Sequence, residues 1–398
     1  MIRLTVLYVG YSVRASYYDD WLQSFQVHPG VLAQSLNLFS PADRRRVADA
    51  LVTSDLAVIL HSGTGDTLDY VRKATPALVQ RRCPLVVFMG NEFNIPWLPF
   101  ADRRAWLKEV GANFVATQLL EATGTWLYEG SGARVISVPH GLNPNAFRIT
   151  KARRNRPIDI GTRTFPYPIY IGNQLRNTLI QKTRQLGESL GLRLDVRNDI
   201  RFARSRWAEF LNQCRFTVAT EAGSTSLDRD DSRSFAIQNF LRERRRGLAI
   251  NPASSIRGVA RHLPWGIRQG ILQMLARVGV VHEGIEADPA LHAEVIERFF
   301  SNEAHTGPCG TCISSRHFDA IGCGTVQILV EGHYSDILEA GVHYVPVRSD
   351  LDDLEHALRH VANRDFAEHI IEGARTHVMA HHTLEHRISS LLKRVLGV

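Results

Sequence analysis

Long apolar runs are missing from this sequence. Its hydrophobic stretches, such as Leu56–Leu60 and Pro84–Met89, fall far short of a membrane span. The N-terminus, MIRLTVLYVGYS, lacks the separate charged, apolar and cleavage regions of a signal peptide and enters a strand-like pattern at once. The cytoplasm is therefore the expected location. Cysteine is sparse and odd in number, five in 398 residues, which argues against a disulfide framework. Cys309 and Cys312 form a single CxxC with no second pair and no suitably spaced histidines. That is a weak signal for zinc or redox chemistry, and the stretch reads more simply as a flexible loop. Internal repeats and low-complexity segments are also lacking.

What is present is the make-up of a soluble globular chain, 44% hydrophobic and 22% charged. Its length exceeds one ordinary core and implies two domains. The net charge of +7 favours an anionic partner: a nucleotide diphosphate, a nucleic acid or an acidic membrane surface. Basic runs stand at Arg44–Arg46, Lys151–Arg156 and Arg242–Arg246, and such runs are commonly solvated faces. They are not interleaved with aromatics as a single-strand nucleic-acid groove requires, so no nucleic-acid partner is expected.

The first half alternates between strand and helix patterns. Leu4–Val9, Leu56–Leu60, Leu85–Met89, Phe114–Thr117 and Val135–Val138 read as strands, with helices over Pro41–Leu51, Leu68–Arg81 and Glu121–Tyr128. This order predicts a parallel sheet covered by helices on both faces. Ligands of such sheets sit beyond the carboxyl ends of the strands, where Gly10, His61, Asp66 and Glu92 are expected. Residues 139–159, rich in Pro, Gly, Asn and Arg, read as an interdomain linker holding His140 and Asn143. A second alternating series starts at Ile158. It includes the stretch Pro168–Gly172, helices over Arg176–Leu190 and Ser205–Gln213, and strands at Leu192–Val196 and Phe216–Thr220. Residues 222–313 are less regular. A strand at Val342–Val345, a helix at Leu351–Val361 and a helical tail from Asp365 to Leu396 follow. The resulting expectation is α/β: two Rossmann-like domains, 1–150 and 151–375, and a tail, 376–398, packing back across the gap. The active site belongs in the cleft between them.

One stretch, SSRHFDAIGCGTVQILVEGHY at 314–334, packs unusual chemistry into a few residues. Ser314-Ser315 can cap a helix whose N-terminus attracts phosphate. Arg316 can grip phosphate oxygens with two parallel bonds, with His317 beside it. Asp319, one turn in, can accept both hydroxyls of a ribose, and Gly322 and Gly324 end the helix close to the next strand. A plainer alternative is that Asp319 complements the helix dipole and the glycines merely turn the chain.

RHFDAIGCGTVQI resembles a stretch of the CgeB-like, group-1-type glycosyltransferases, which have the GT-B fold. Further segments resemble that family in order: GNE (90–92), VPHGLNP (138–144), RPIDIG…YPIYIGNQLR (156–176), FTVATEAGSTSLDRD (216–230), LVEGHYSDILEAGVHYVPVRSDLDDL (329–354) and HHTLEHR (381–387). The resemblance covers most of the chain from about residue 55. It implies a donor site for a nucleotide sugar in the second domain and an acceptor site in the first. Asp319 stands where the family has Glu, one methylene longer. Retaining relatives carry a second acid eight residues earlier, where this chain has Thr311, so a retaining or inverting outcome stays open.

By the same resemblance Arg176, after Gly172-Asn173, is placed to neutralise the departing diphosphate, with Lys182 as a second choice. Glu221, Gly223, Ser224 and Ser226, with Asp228 beyond, end a strand and suit a base or sugar, or an ordinary turn. His61, Asp66 and Glu92 are the candidates for a general base acting on the acceptor hydroxyl, or for loop-fixing bonds. His369, His377, His381, His382 and His386 are read as a solvated helix face, although His377 and His381 have metal-capable spacing. The run Asp228–Asp231 reads as a loop contact rather than a metal motif, and metal-independent chemistry is expected. The implied function is transfer of a sugar to a glycan, lipid-linked or other glycoconjugate acceptor, in bacterial surface-polysaccharide assembly, with peripheral contact to anionic lipid. The rivals are a nucleotide-sugar epimerase, a non-catalytic two-domain binding protein and an arginine-rich nucleic-acid binder.

Overall fold

The structure, a computed structural model, describes residues 1–10, 16–164, 167–198, 202–244, 249–250, 263, 267, 274, 281–282, 288–301, 308–360 and 364–397. Tyr11 and Ser12, Arg245 and Arg246, Val361 and the first part of the 305–312 loop lie outside these residues.

The first half builds a six-stranded parallel sheet from β1 (Ile2–Tyr8), β2 (Val31–Asn37), β3 (Leu56–Ile59), β4 (Leu85–Phe88), β5 (Phe114–Thr117) and β6 (Arg134–Ser137), in the order β2-β1-β3-β4-β5-β6. β3 and β4 are buried along their whole length, because a parallel strand covered on both faces has no solvent side. Their continuous Leu/Val/Ile/Phe composition follows from that. β2 and the preceding helix α1 (Ser16–Val27) escaped the sequence reading. β2 alternates exposed and buried residues at a sheet edge, and its QSLN ending carries little strand propensity.

The second half builds a five-stranded parallel sheet from β7 (Ile158–Arg163), β8 (Leu194–Arg197), β9 (Cys214–Ala219), β12 (Val326–Val330) and β13 (Val345–Val347), in the order β13-β12-β9-β7-β8. Between β9 and β12, β10 (Ala222–Ser224) and β11 (Gly310–Cys312) form an antiparallel pair. The helices that matter below are α2 (Phe100–Glu109), α3 (Glu121–Tyr128), α4 (Leu175–Ser189), α5 (Arg204–Leu211), α6 (Ser232–Arg244), α7 (Pro289–Phe300), α8 (Ser315–Gly322), α9 (Arg364–His381) and α10 (Leu384–Leu396). Pro168–Gly172 forms a short 3-10 turn ending in left-handed Gly172. The expected helix near Leu351 is shorter, Leu354–Arg359.

In both sheets the strand order reverses beside the first strand, between β1 and β3 and between β7 and β9. A doubly wound sheet opens a crevice at that reversal, at the carboxyl ends of its strands.

Two features tie the halves together. The tail breaks at His382, and Thr383 caps α10 through its hydroxyl. Leu384, Ile388, Leu391 and Leu392 then join the buried cluster of Leu4, Val6, Trp21 and Phe25. The i, i+4, i+7, i+8 spacing makes one apolar stripe, and its burial holds the helix to the first sheet. At the break, Leu142 N–H donates to His382 O at 2.9 Å, and Leu384 N–H donates to Leu142 O at 2.8 Å. The second tie is the segment after β10. Leu227, Ile237, Phe240 and Leu241, with Val295 of α7, bury their side chains in the same cluster as β3, β4 and β5. Asp231 caps α2, accepting the Phe100 N–H at 2.7 Å and the Asn94 side-chain amide at 2.7 Å. The loop role expected for Asp228–Asp231 is thereby a contact between halves.

The basic run Lys151–Arg156 departs from a solvated face at one residue. Arg156 is buried, and its guanidinium donates to the carbonyls of Cys214 (2.8 Å), Gly324 (3.0 Å) and Cys323 (2.6 Å). It pins the linker to the end of α8.

Candidate functional site

The reversal point of the second sheet holds a narrow cleft. Its walls are Arg163 and Thr164 from the end of β7, Thr220 from the end of β9, Arg176 on α4, Trp207 on α5, and Ser314 and Arg316 at the start of α8. Gln327 of strand β12 also lines it, 2% exposed. The cavity volume is about 30 Å³, the share of roughly one water molecule in the liquid. A larger ligand requires the arginine side chains to swing aside.

Three guanidinium groups meet here, each held in a defined place. Arg176 lies over the Tyr167 ring, 3.6 Å from its centroid. It donates to the Tyr167 hydroxyl and to Glu221 O at 3.3 Å. Arg163 lies against the Phe210 and Phe202 rings, at 4.2 and 5.0 Å, and is tied to Asp195 at 2.6 Å. Arg316 donates to Thr164 Oγ1 at 3.0 Å. Of these, Arg176 and Arg316 stood out in the sequence. Arg163 and Trp207 did not, although a cation at the carboxyl end of a strand was a usable signal for Arg163.

α8 begins at the cleft because Ser314 is an N-cap in extended conformation. His317 completes the cap: its Nδ1 accepts the Ser314 N–H at 3.0 Å and lies 3.1 Å from the Ser314 hydroxyl. Burial depresses the His317 pKa to about 3, which keeps the ring neutral and its Nδ1 an acceptor. Ser315 is buried at the helix start. His317 is thus a capping residue at the start of α8. The first N–H groups of such a helix have no intrahelical acceptor and, with the dipole, favour an anion.

Asp319 is 2% exposed, is not among the residues that wall the cleft, and accepts the Trp207 indole N–H at 2.9 Å. Burial, reinforced by the Asp20 carboxylate, drives its pKa well above the ordinary value. The two glycines have packing roles. A Cβ on Gly322 would lie 2.6 Å from Phe147 O and from Leu142 Cδ1 of the linker, and Gly324 has φ of +68° after the helix end.

Glu221, at the end of β9, presents its carboxylate to the loop after β12. It accepts the Tyr334 N–H at 2.7 Å and the Thr311 hydroxyl at 3.0 Å, with His333 Nδ1 at 3.5 Å. Residues Tyr334, Ser335 and Asp336 all have positive φ, a strained turn of the kind that clusters at functional sites. Thr311 is not an acid, yet a carboxylate still sits against it, contributed by Glu221 from another strand. His333 was missed, since only folding brings its loop beside Glu221. Ser224 donates its hydroxyl to Ile171 O at 2.9 Å, and Gly223 (φ +93°) approaches Gly310 O. Gly223 thus lies within the β10–β11 pair, and Ser224 ties that pair to the 168–172 turn. The Ser226 hydroxyl takes a bond from Arg233. Lys182 stands on the surface, donating to Asp350 O at 3.3 Å, away from the cleft walls.

In the first half, the three residues expected to supply a base separate. Glu92 is 6% exposed and fully used: it accepts the Thr117 and Tyr128 hydroxyls at 2.6 and 2.9 Å and the Gln118 N–H at 2.8 Å. Burial raises its pKa to about 7. His61 is buried, stacked 5.3 Å from His140 and 5.5 Å from Trp21, and burial holds it well below its ordinary pKa. Both are buried in the packing of the first half. Asp66 is the half-exposed member, accepting the Asn91 side-chain amide at 3.2 Å. Gly10 ends β1 and donates to Asn37 Oδ1 at 2.9 Å. His140 accepts the Trp21 indole at 3.2 Å, and Asn143 donates to Asp20 Oδ1 at 2.8 Å. These linker residues brace α1, on the first-half side of the gap, and do not line the cleft.

The remaining motifs resolve simply. All five cysteines are free, with Cys309 exposed and Cys312 buried. His369, His381 and His386 are exposed, but His377 stacks 4.6 Å from both His343 and His382, so part of the expected solvated face is packed. Among the described residues no group of three His, Cys, Asp or Glu side chains is placed to hold a metal ion. Nor is any described helix long and apolar enough to cross a membrane.

Two doubly wound parallel sheets, a cleft at their carboxyl ends and a C-terminal helix returned to the first sheet define a GT-B architecture. Residues 279–393 match the family described as glycosyl transferase-like. Anabaena HepE in complex with UDP-glucose shares the fold with a TM-score of 0.51 at 10% identity, over 100% of both chains. An alpha-glucosyltransferase in complex with UDP and a 13-mer DNA does so with a TM-score of 0.52 at 8% identity, again over 100% of both. Among curated proteins none matches this chain.

Proposed function

We propose that this protein is a glycosyltransferase, taking its sugar from a nucleoside-diphosphate donor bound at the reversal point of the second sheet. The observation that carries this reading is the convergence of Arg176, Arg316 and the capped start of α8 on one cleft. Two guanidinium groups and a helix N-terminus match the charge and oxygen geometry of a diphosphate. The same groups stabilise the charge that develops on the diphosphate as it leaves. The UDP-bound proteins of this fold and the glycosyl transferase-like match support that donor class.

The remaining roles follow from position. Trp207 offers an indole face for a base. Glu221, braced by Thr311 and Tyr334, is the carboxylate nearest to where the transferred sugar leaves the diphosphate. Asp66 is the acceptor-side base. The acceptor is a glycan, lipid-linked or other glycoconjugate, and the pathway is assembly of a bacterial surface polysaccharide at the cytoplasmic face of an anionic membrane. The chemistry runs without a resident metal, the arginines and helix start supplying the positive charge.

Calorimetric titration of UDP, GDP, dTDP and CDP into wild type, R176A and R316A tests the reading. One nucleoside diphosphate is expected to bind, and each substitution to weaken it at least tenfold, as loss of a bond to a charged group worth about 1.5–3 kcal/mol predicts. Absence of binding by all four, or binding indifferent to both substitutions, would overturn it in favour of a non-catalytic protein.

A further inference from the structure

A second cavity lies on the flank of the molecule and is unused by the function proposed above. Its walls come from both halves: Arg104 on α2 and Trp126 on α3, then Asp228, Arg229, Asp230 and Arg233 from the run after β10. Its volume is about 490 Å³, inside the range of roughly 300–1,000 Å³ typical of small-molecule sites.

The walls are rigid. Asp228 is clamped to the first half by Asn94, which accepts its N–H at 2.9 Å and donates to its carbonyl at 2.5 Å. Its carboxylate accepts the Arg233 N–H at 2.8 Å and the Asp230 N–H at 3.2 Å. Arg104 donates to Leu127 O at 3.1 Å and Arg229 O at 2.9 Å. A cavity so braced needs little ordering when it takes up a ligand.

Its chemistry selects the ligand. Arg229 is paired with Glu129, and the Asp228 and Asp230 carboxylates share the lining with Arg104 and Arg233, so the charges are largely compensated and a free ion gains little. Trp126 is only partly buried and presents an aromatic face. Asp230 is exposed, an acceptor in a wall that also carries guanidinium donors. An apolar plate beside fixed planar acceptors and donors suits a neutral polyhydroxylated ring. Its C–H face rests on the plate while neighbouring hydroxyls bond to carboxylate and guanidinium.

We infer that this cavity is a saccharide-binding subsite, with one sugar stacked on Trp126 and its hydroxyls bonded to Asp230 and Arg229. Its role rests on the glycosyltransferase reading: Asn94 follows β4 in the loop at the carboxyl end of the first sheet, so the subsite holds an acceptor chain away from its reacting end. Its chemistry does not depend on that reading.

Saturation-transfer NMR of the full chain with maltotriose, cellotriose, laminaritriose and chitotriose tests the inference, beside titration of the same samples with UDP, GDP, dTDP and CDP. At least one trisaccharide is expected to bind wild type. W126A and D230A should each weaken it about tenfold without altering nucleoside-diphosphate binding. D230A changes an exposed side chain and carries the test alone if W126A fails to fold. Absence of binding by all four sugars, or binding unchanged in D230A, overturns the subsite. Saccharide binding without binding of any of the four nucleoside diphosphates leaves the subsite standing and removes the donor reading instead.

Discussion

Replacing Glu92 with Gln separates a structural carboxylate from a catalytic one. Glu92 gives both its oxygens to Thr117, Tyr128 and Gln118, inside the first sheet's core. Burial raises its pKa from an ordinary 4.5 to about 7. A folded-state pKa above the unfolded value means that the folded protein binds the extra proton. The stability this adds is complete below about pH 4.5 and is lost as pH rises through 7. At about 1.4 kcal/mol per pKa unit the full effect is about 3 kcal/mol, most of which is lost between about pH 5 and pH 8. Gln fits the same space: its oxygen can face the Gln118 N–H, and its amide can donate to the two hydroxyls. Urea unfolding of wild type and E92Q across that pH range is the assay. E92Q should lose about 2–3 kcal/mol less than wild type as pH rises, and should bind the nucleoside diphosphate as wild type does. Parallel pH profiles would refute the reasoning, and abolished turnover without any change in stability would restore Glu92 as a base.

Asp20, raised by burial to about 6 from 3.8 despite Arg204 and Asn143, acts in the same direction at lower pH. D20N should flatten the loss of stability between about pH 4 and pH 6, worth about 2 kcal/mol, read from the same urea curves. Trp207→Phe removes the only described hydrogen-bond donor to the Asp319 carboxyl; it should cost about 1–3 kcal/mol by chemical denaturation, and W207F with unchanged stability would show that Asp319 has another partner. Ile388→Ala, at a fully buried position of α10, should cost about 2–5 kcal/mol and expose the tail to limited proteolysis near Thr383 before the rest of the chain.

The strands most clearly written in the sequence are those buried on both faces. Leu56–Ile59 and Leu85–Phe88 carry no polar residue, and a continuous β-branched and aliphatic run of that length has few other uses. The start signal at Ser314 before α8 was equally readable, since a cap is a local hydrogen bond between residues three apart, whereas the break before Thr383 was missed because 365–396 reads as one helical tail. Arg176 and Arg316 were visible because each begins a helix that follows a strand. Local chemistry of this kind depends on neighbours in the chain, so the chain alone determined it.

What only the tertiary structure decided is which polar residues face water and which are spent inside. His61, Glu92, His317 and Asp319 sit at strand ends or helix starts, where the sequence permits a functional role. Yet packing from distant elements surrounds them: Trp21 and His140 around His61, Tyr128 over Glu92, Trp207 over Asp319. Burial penalises charge, and each settles into a neutral hydrogen-bonding or packing role. The converse holds for Arg163, His333 and the Trp126 cavity, whose partners lie tens to a hundred residues away. Cleft and cavity alike arise from loop closure over such distances, which periodicity and spacing do not encode.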